Sequence, residues 1–309
     1  MIKFGTGGWR AIIGEEFTKE NIQKLALAMS LKIKAEHVED KPVVIGYDRR
    51  FLSKEAVIWS CEIFGQQGIK VLFVDRSSPT PLIMFYVMKH DLSYGMMVTA
   101  SHNPAIYNGI KVFTKGGRDA DEHQTADIER YLEQADKLYV PDLEENGQMP
   151  PHAYQELVKS GQVVEMNPMN EYLDNIISLI NLDAIRERDL RIAIDPMYGV
   201  SLTALCTILS IARCTVETIN AQHDTLFGGK MPAPTESTLR NLQNYVLDRY
   251  CDIGIATDGD ADRLGVIDDK GHYLHANTIL VMLYYYLLKY RGWRGPAVRN
   301  LSTTHVLDK

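Results

Sequence analysis

Apolar residues along this chain recur at two spacings that alternate with each other. Val43-Val44-Ile45-Gly46-Tyr47 is a short β-branched run that ends in the polar Asp48-Arg49-Arg50, and it predicts a strand. Ala56, Ile58, Trp59, Ile63 and Phe64 then fall on one helical stripe, behind Ser53 as a candidate N-cap and Glu55 as an acidic first turn. Gly68 closes that helix, and Val71-Leu72-Phe73-Val74 predicts the next strand. Thr80-Pro81 opens another helix, with threonine as cap and proline at the first helical position. Tyr94 to Thr99 predicts a third strand and Gly109 to Phe113 a fourth. Strands separated by helices imply a mostly parallel sheet covered on its faces, because parallel neighbours need a long crossover.

The pattern then restarts. Pro141 to Pro151 is polar and reads as a surface loop, and Met166 to Ile180 reads as a helix. Arg191-Ile192-Ala193-Ile194 predicts a strand ending in Asp195-Pro196, followed by a helix through Leu202, Leu205 and Leu209. Thr215 to Ile219 predicts a strand, Thr235 to Leu247 a helix, and Ile253-Gly254-Ile255-Ala256 a strand leading to Asp258. A third round begins with a helix over Asn277 to Tyr290, a strand over Pro296 to Leu301 and a helix capped by Ser302-Thr303-Thr304 near His305. The few residues from His305 to Lys309 are too short a helix to cover a sheet. The expected fold is therefore α/β: two tandem sheet modules, mixed or mostly parallel with helices on both faces, over residues 1–165 and 166–271, and an incomplete third module over 272–309.

Composition narrows the class. Hydrophobic residues at 45% and charged residues at 24% are ordinary for a folded globular protein, which excludes a disordered tail, a collagen-like fibre and a small disulfide scaffold. The 33 basic and 40 acidic side chains leave a net charge of −7, so no global positive field draws nucleic acid or an acidic membrane; a local basic pocket for a small anion is compatible with it. Cys61, Cys206, Cys214 and Cys251 form no CxxC pair and have no histidine at zinc spacing, which points to reduced thiols in a cytoplasmic chain. Met1 to Arg10 has no apolar signal-peptide core, and the longest apolar run, Ile279 to Leu288, is about half of a membrane span.

Candidate chemistry gathers at the ends of predicted strands. Thr99-Ala100-Ser101-His102-Asn103-Pro104 lies at a strand's C-terminal end, the edge where open α/β sheets bind ligands, although these are ordinary turn residues as well. No G-x-S-x-G elbow is present, which disfavours a serine hydrolase. Asp258-Gly259-Asp260-Ala261-Asp262-Arg263 follows another strand, and three carboxylates at alternating positions suit a hard divalent cation such as Mg2+ or Ca2+. An EF-hand fails, because Arg263 stands where its glycine belongs and Asp269 where its last glutamate does. Gly5-Thr6-Gly7-Gly8-Trp9-Arg10 lets the backbone approach an anion that Arg10 can clamp. Asn108-Gly109-Ile110-Lys111 puts a lysine on a strand shortly after Ser101; taken alone, it is an exposed lysine.

Together these four clusters resemble the signature set of the α-D-phosphohexomutase family, the phosphoglucomutase and phosphomannomutase enzymes, from Gly5 to Asp269. Gly46-Tyr47-Asp48-Arg49-Arg50 and Pro79-Thr80-Pro81 resemble further landmarks of that family. The resemblance implies that Ser101 is the serine phosphorylated in the active enzyme, and that Asp258, Asp260 and Asp262 hold Mg2+ together with a phosphate oxygen on Ser101. It implies substrate-binding and active-site roles for Arg263 and Arg10, and a general acid/base and substrate-binding role for Lys111. Such a lysine needs a lowered pKa, which like-charge repulsion from Arg10 and Arg263 is expected to supply. His102 is either a second proton-handling group or a ring held by turn hydrogen bonds. The implied reaction moves a phosphoryl group between the 1- and 6-positions of a hexose phosphate through phosphoserine and a hexose bisphosphate, with no nucleic acid or membrane partner.

The resemblance has gaps. Neither the sugar-recognition pattern G-E-x-S-G nor the phosphate-clamp pattern R-x-S-G-T occurs, Gly7 stands where a serine is usual, and Ala11 where a glycine is common. Positioning contributes up to ~7–11 kcal/mol of a barrier, so a chain without those two elements is expected to turn over poorly. The expectation is thus the N-terminal part of a phosphohexomutase, apparently truncated. The alternative is a non-catalytic, Mg-dependent phosphosugar-binding protein or a half-enzyme that needs a partner.

Overall fold

The computed structural model describes residues 2–5, 8–139 and 153–308. The loop expected at Pro141–Pro151 lies outside the described residues. The first module runs β1 (Trp9–Ile12), α1 (Lys19–Ala35), β2 (Val43–Tyr47), α2 (Ser53–Gln66), β3 (Val71–Val74), α3 (Thr80–Lys89), β4 (Tyr94–Val98), β5 (Tyr107–Thr114), β6 (Arg118–Asp119), α4 (Glu122–Leu138), α5 (Ala153–Lys159) and β7 (Val163–Met166). Its strands lie in the order β1-β5-β4-β2-β3-β7, with β6 beside β5. β4, β2, β3 and β7 are parallel, whereas β5 and β1 are antiparallel to their neighbours, so the sheet is mixed. Side chains alternate across it as strand geometry requires. Val43, Ile45, Met96, Val98, Ile110 and Val112 face α1, α2 and α4, while Val44, Met97 and Phe113 meet Leu82, Ile83 and Val87 of α3 on the other side.

The second module follows: α6 (Met169–Leu179), α7 (Leu182–Arg186), β8 (Arg191–Asp195), α8 (Leu202–Ile211), β9 (Thr215–Thr218), α9 (Arg240–Asp248), β10 (Ile253–Thr257), β11 (Leu264–Asp268) and β12 (Tyr273–Leu274). Its order is β12-β11-β10-β8-β9, parallel among β10, β8 and β9 and antiparallel at β11 and β12. Leu239, Leu242 and Val246 cover one face; on the other, Ala204 and Ile208 of α8 pack on Leu173 of α6. α10 (Ala276–Lys289) follows and buries none of its residues; Leu283, Tyr285 and Met282 are exposed, and a short 3-10 turn, His305–Asp308, comes last. Among the described residues, no helix is long and apolar enough to cross a membrane.

Several local expectations are corrected. Ser53 and Thr80 are the first residues of their helices rather than caps; Leu52 and Pro79 occupy the cap positions without side-chain bonds. Both hydroxyls are committed instead to buried carboxylates, Ser53 to Asp48 and Thr80 to Asp260. The helix expected from Met166 begins only at Met169, because Asn167 precedes Pro168 and a residue before proline avoids the helical region. Val163 to Met166 instead extends the first sheet beside β3, past the expected boundary at 165. The helix expected from Thr235 begins at Arg240, because the Thr238 hydroxyl bonds the carbonyls of Ala233 and Thr235 in a competing turn. Pro296 to Leu301 forms no strand: Val298 and Leu301 are 98% exposed, and no described strand pairs with them. Trp9 to Ile12, read only as the end of a glycine-rich segment, is a strand on β5. Gly8 before it has φ 122°, and a Cβ there would sit 2.6 Å from the Ile110 carbonyl oxygen.

Candidate active site

The chain end of β4 and the chain end of β10 meet where the two modules touch. Ser101 follows β4 in the left-handed region, φ 52°, which is unfavourable for a residue with a side chain, and it is fully buried. Local bonds hold it there. Its N–H donates to Thr99 Oγ1 at 2.8 Å, and the Thr99 hydroxyl donates to Asp48 Oδ2 at 2.7 Å. The Ser101 hydroxyl donates across the module boundary to Asp258 Oδ2 at 2.7 Å.

Asp258, Asp260 and Asp262 bring one carboxylate oxygen each within 4.8 Å of the others, as their alternating spacing predicted. Asp258 accepts the N–H groups of Asp262 and Arg263 at 3.1 Å on its second oxygen, which winds the loop around it. Asp260 Oδ2 accepts from the Thr80 hydroxyl at 2.7 Å and Lys111 Nζ at 2.8 Å, and Lys111 Nζ also reaches Asp262 at 2.6 Å. The two loops touch directly: a Cβ on Gly259 would lie 2.8 Å from the Ser101 carbonyl oxygen, so only glycine permits this approach.

Burial and charge set the protonation states. Burial, with Asp260 and Asp262 adding repulsion, pushes the Asp258 carboxyl up to about 8. Burial pushes Asp260 the same way, but the Lys111 ammonium and Thr80 hydroxyl outweigh it and hold it below the ordinary carboxylate value. The expected lowering of Lys111 is corrected: burial pulls it down, yet Asp260 and Asp262 in direct contact outweigh burial and raise it. The repulsion expected at Lys111 acts on His102 instead, which burial and then Arg263 and Arg10 shift below the usual histidine value. His102 Nδ1 and Asp260 Oδ1 are buried and have no hydrogen-bond partner among the described residues. The turn hydrogen bond offered as one role for His102 is therefore absent at Nδ1. Arg10 donates to Asn103 Oδ1 at 3.0 Å, beside the Ser101 loop, and Arg263 is half exposed with Nε 3.8 Å from Asp262. Three converging carboxylates, one pushed up chiefly by burial and one with an orphaned oxygen, form a donor set that a divalent cation would satisfy.

Comparison with known proteins agrees with this geometry. Residues 1–139 match the family described as phosphoglucomutase/phosphomannomutase, alpha/beta/alpha domain I, and residues 170–271 match domain II of the same family. The chain belongs to the phosphoglucomutase/phosphomannomutase family, the α-D-phosphohexomutases. It is 32% identical over 308 residues to a "Probable phosphoglucosamine mutase" of Pyrococcus abyssi, covering 99% of this chain and 62% of that relative. It is 29% identical to a "Phosphoglucomutase/phosphomannomutase" of Thermococcus kodakarensis, covering 99% of this chain and 63% of that one. The crystal structure of a "putative phosphomannomutase" from Thermus thermophilus superposes with a TM-score of 0.85 at 27% identity, over 99% of this chain and 66% of that one. The chain thus spans about 62% of the length of the curated relatives it matches.

Within the phosphohexomutase fold, four residues shape the site without having been singled out for it by the sequence. Asp48 accepts from Arg50 N–H, Ser53 and Thr99, and so ties the chain end of β2 to the Ser101 loop. Arg50 reaches the carbonyls of that loop, Thr80 steers Asp260, and Phe227 of the second module lies against the Arg50 guanidinium. Their only sequence signal was membership of the Gly46–Arg50 and Pro79–Pro81 landmarks, and Phe227 carried none. Arg49 also crosses the boundary, donating to the carbonyls of Tyr198 and Ala221 at 3.3 and 3.2 Å.

Proposed function

We propose that this chain carries the phosphoserine and metal part of a hexose-phosphate mutase, an intramolecular phosphotransferase that interconverts hexose 1-phosphate and hexose 6-phosphate. The observation that carries this reading is the Ser101 hydroxyl 2.7 Å from one member of a converging aspartate triad. A serine placed so can hold a phosphoryl dianion only where a cation offsets the carboxylates. Asp258, Asp260 and Asp262 would hold Mg2+, which when bound neutralises charge on the phosphoryl oxygens and eases their transfer.

The remaining roles belong to the chain's own side chains. Ser101 Oγ gives its phosphoryl group to a sugar hydroxyl, the resulting hexose bisphosphate turns over, and the other phosphate returns to Oγ. Lys111, held in its charged form by Asp260 and Asp262, is the proton donor, and His102, kept neutral by burial, Arg263 and Arg10, is the acceptor of the hydroxyl proton. Arg10 and Arg263 anchor the substrate phosphate. Four free thiols suit a cytoplasmic enzyme. The names of the relatives support glucose, mannose and hexosamine phosphates as the substrates to assay.

Phosphoryl uptake on Ser101 is the step that the phosphoserine reading requires and needs no isomerisation of a sugar, so it is the direct test. The chain incubated with glucose 1,6-bisphosphate and Mg2+ should gain one phosphate, mapped to Ser101; a chain that stays unmodified overturns the phosphoenzyme reading. The exposed apolar face of α10 favours a second reading, a half-enzyme that isomerises only beside a partner polypeptide. A coupled assay with glucose 1-phosphate separates the two: Mg2+-dependent turnover by the chain alone removes the need for a partner.

A further inference from the structure

We propose that Arg50 is the positioning residue of the phosphoryl-acceptor loop, and that Phe227 of the second module sets it in place. This rests on the phosphoserine reading for its role in the reaction, but its geometry is independent of that reading. One guanidinium collects four backbone carbonyls of a single loop: Nη2 donates to Ser101 and Asn103 at 2.7 Å each, and Nη1 to Pro104 at 2.9 Å and Tyr107 at 3.0 Å. Its Nε lies 3.3 Å from Asp48 Oδ2, its one carboxylate partner among the described residues. The planar fork of arginine can span four acceptors in this way, and the point charge of a lysine cannot.

Both charges are buried, Arg50 at 3% exposure and Asp48 at 1%, so the pair is a device for geometry more than for stability. The Ser101 carbonyl points to Arg50 while its hydroxyl points to Asp258, so the fork fixes the backbone from which Oγ is aimed at the aspartates. Ser101 sits in a left-handed conformation that persists only when its surroundings over-determine it, and the fork supplies that constraint.

The open face of the guanidinium is closed from the other module. The Phe227 ring centroid lies 4.8 Å from the Arg50 Cζ, a cation–π contact, and Phe227 is fully buried. The segment that delivers Phe227 is itself constrained: Phe227 and Gly228 have φ 53° and 64°, and Asp224 accepts the N–H groups of Leu226 and Gly228. A Cβ on Gly259 would lie 3.4 Å from the same ring, so Phe227 lies against Arg50 and beside the aspartate loop. Packing of the second module therefore sets the loop that carries Ser101.

Hydrogen exchange on the full chain reads this without requiring turnover. In Arg50→Lys, amides of residues 101–107 should exchange about tenfold faster or more, with β8 and β10 unchanged. Phe227→Leu, which keeps the fork and removes the aromatic face, should give a smaller rise confined to the same segment. Unchanged protection of 101–107 in either folded variant overturns the proposal, as does a rise spread evenly over the first module. If Arg50→Lys fails to fold, Phe227→Leu decides alone. With glucose 1,6-bisphosphate, Ser101 phosphorylation in Arg50→Lys should slow at least about tenfold while the Mg2+ midpoint stays within about threefold. Wild-type rates in a variant whose loop exchanges faster would reduce Arg50 to scaffolding and overturn the positioning role. A wild-type chain that takes up no phosphate sinks the functional reading and leaves the exchange test standing.

Discussion

Replacing Lys111 by methionine removes an ammonium that sits 2.8 Å from Asp260 and 2.6 Å from Asp262, within the oxygen cluster of the candidate metal site. Removing one partner of a buried ion pair costs about 3–5 kcal/mol. Asp260 is fully buried and cannot recover hydration, whereas the Asp262 side chain is 28% exposed and can, which places the loss near the lower end, about 3 kcal/mol. At roughly 2–4 °C per kcal/mol, the metal-free chain should melt about 6–12 °C lower than wild type. A divalent cation compensates the same carboxylates, so it should restore most of that loss. In wild type the ammonium already offsets part of the charge of these carboxylates, and in Lys111→Met it does not. Mg2+ should therefore bind the variant more tightly, by up to about 100-fold if the whole 3 kcal/mol is regained. Thermal melts with and without Mg2+, together with isothermal titration, measure both quantities. An equal fall in melting temperature with and without Mg2+, or no fall at all, would refute the view that ammonium and cation offset the same carboxylates. Phosphoryl uptake on Ser101 should drop in the same variant despite its tighter metal binding.

Four further outcomes follow from the same contacts. Asp258 is held up to about 8 by burial and by Asp260 and Asp262, so below that pH a proton must leave before a cation binds; the apparent Mg2+ affinity should weaken by up to about tenfold per pH unit from pH 8 downward and level off above it, as read by titration. The sign for stability is opposite: a carboxyl with a raised folded-state pKa favours the fold when neutral, so the metal-free chain should lose stability from this group as pH rises toward 8. Ser101→Ala should abolish phosphate incorporation while changing unfolding free energy by only about 1–2 kcal/mol, because the loop is held through backbone groups that alanine keeps. Gly259→Ala places a methyl group 2.8 Å from the Ser101 carbonyl oxygen; it should cost about 1–3 kcal/mol in urea unfolding and slow phosphoryl uptake, and an unaffected rate would mean that the two loops tolerate separation.

The linear pattern was enough for whatever depends on neighbours in sequence. β2, β3, β4, β8 and β10 lie where their apolar runs predicted them, within a residue at each end, because a strand covered on both faces must be apolar along its length. The aspartate triad was legible for a similar reason: alternating residues on one tight turn converge whatever packs around them. Three other features were decided only by the fold. The mixed character of both sheets depends on β1, β5 and β11 running against their neighbours, and pairing direction leaves no mark on a single strand's pattern. The start of α9 was set by Thr238 hydrogen bonds that compete with the helix. The charge states were inverted relative to expectation, since Arg10 and Arg263 bear on His102 while Lys111 lies against Asp260 and Asp262, across 149 and 151 residues of chain. Sequence by itself placed the candidate residues at the ends of their strands. Tertiary structure decided which of them share a field, because electrostatic interaction falls off with distance in space and is blind to distance along the chain.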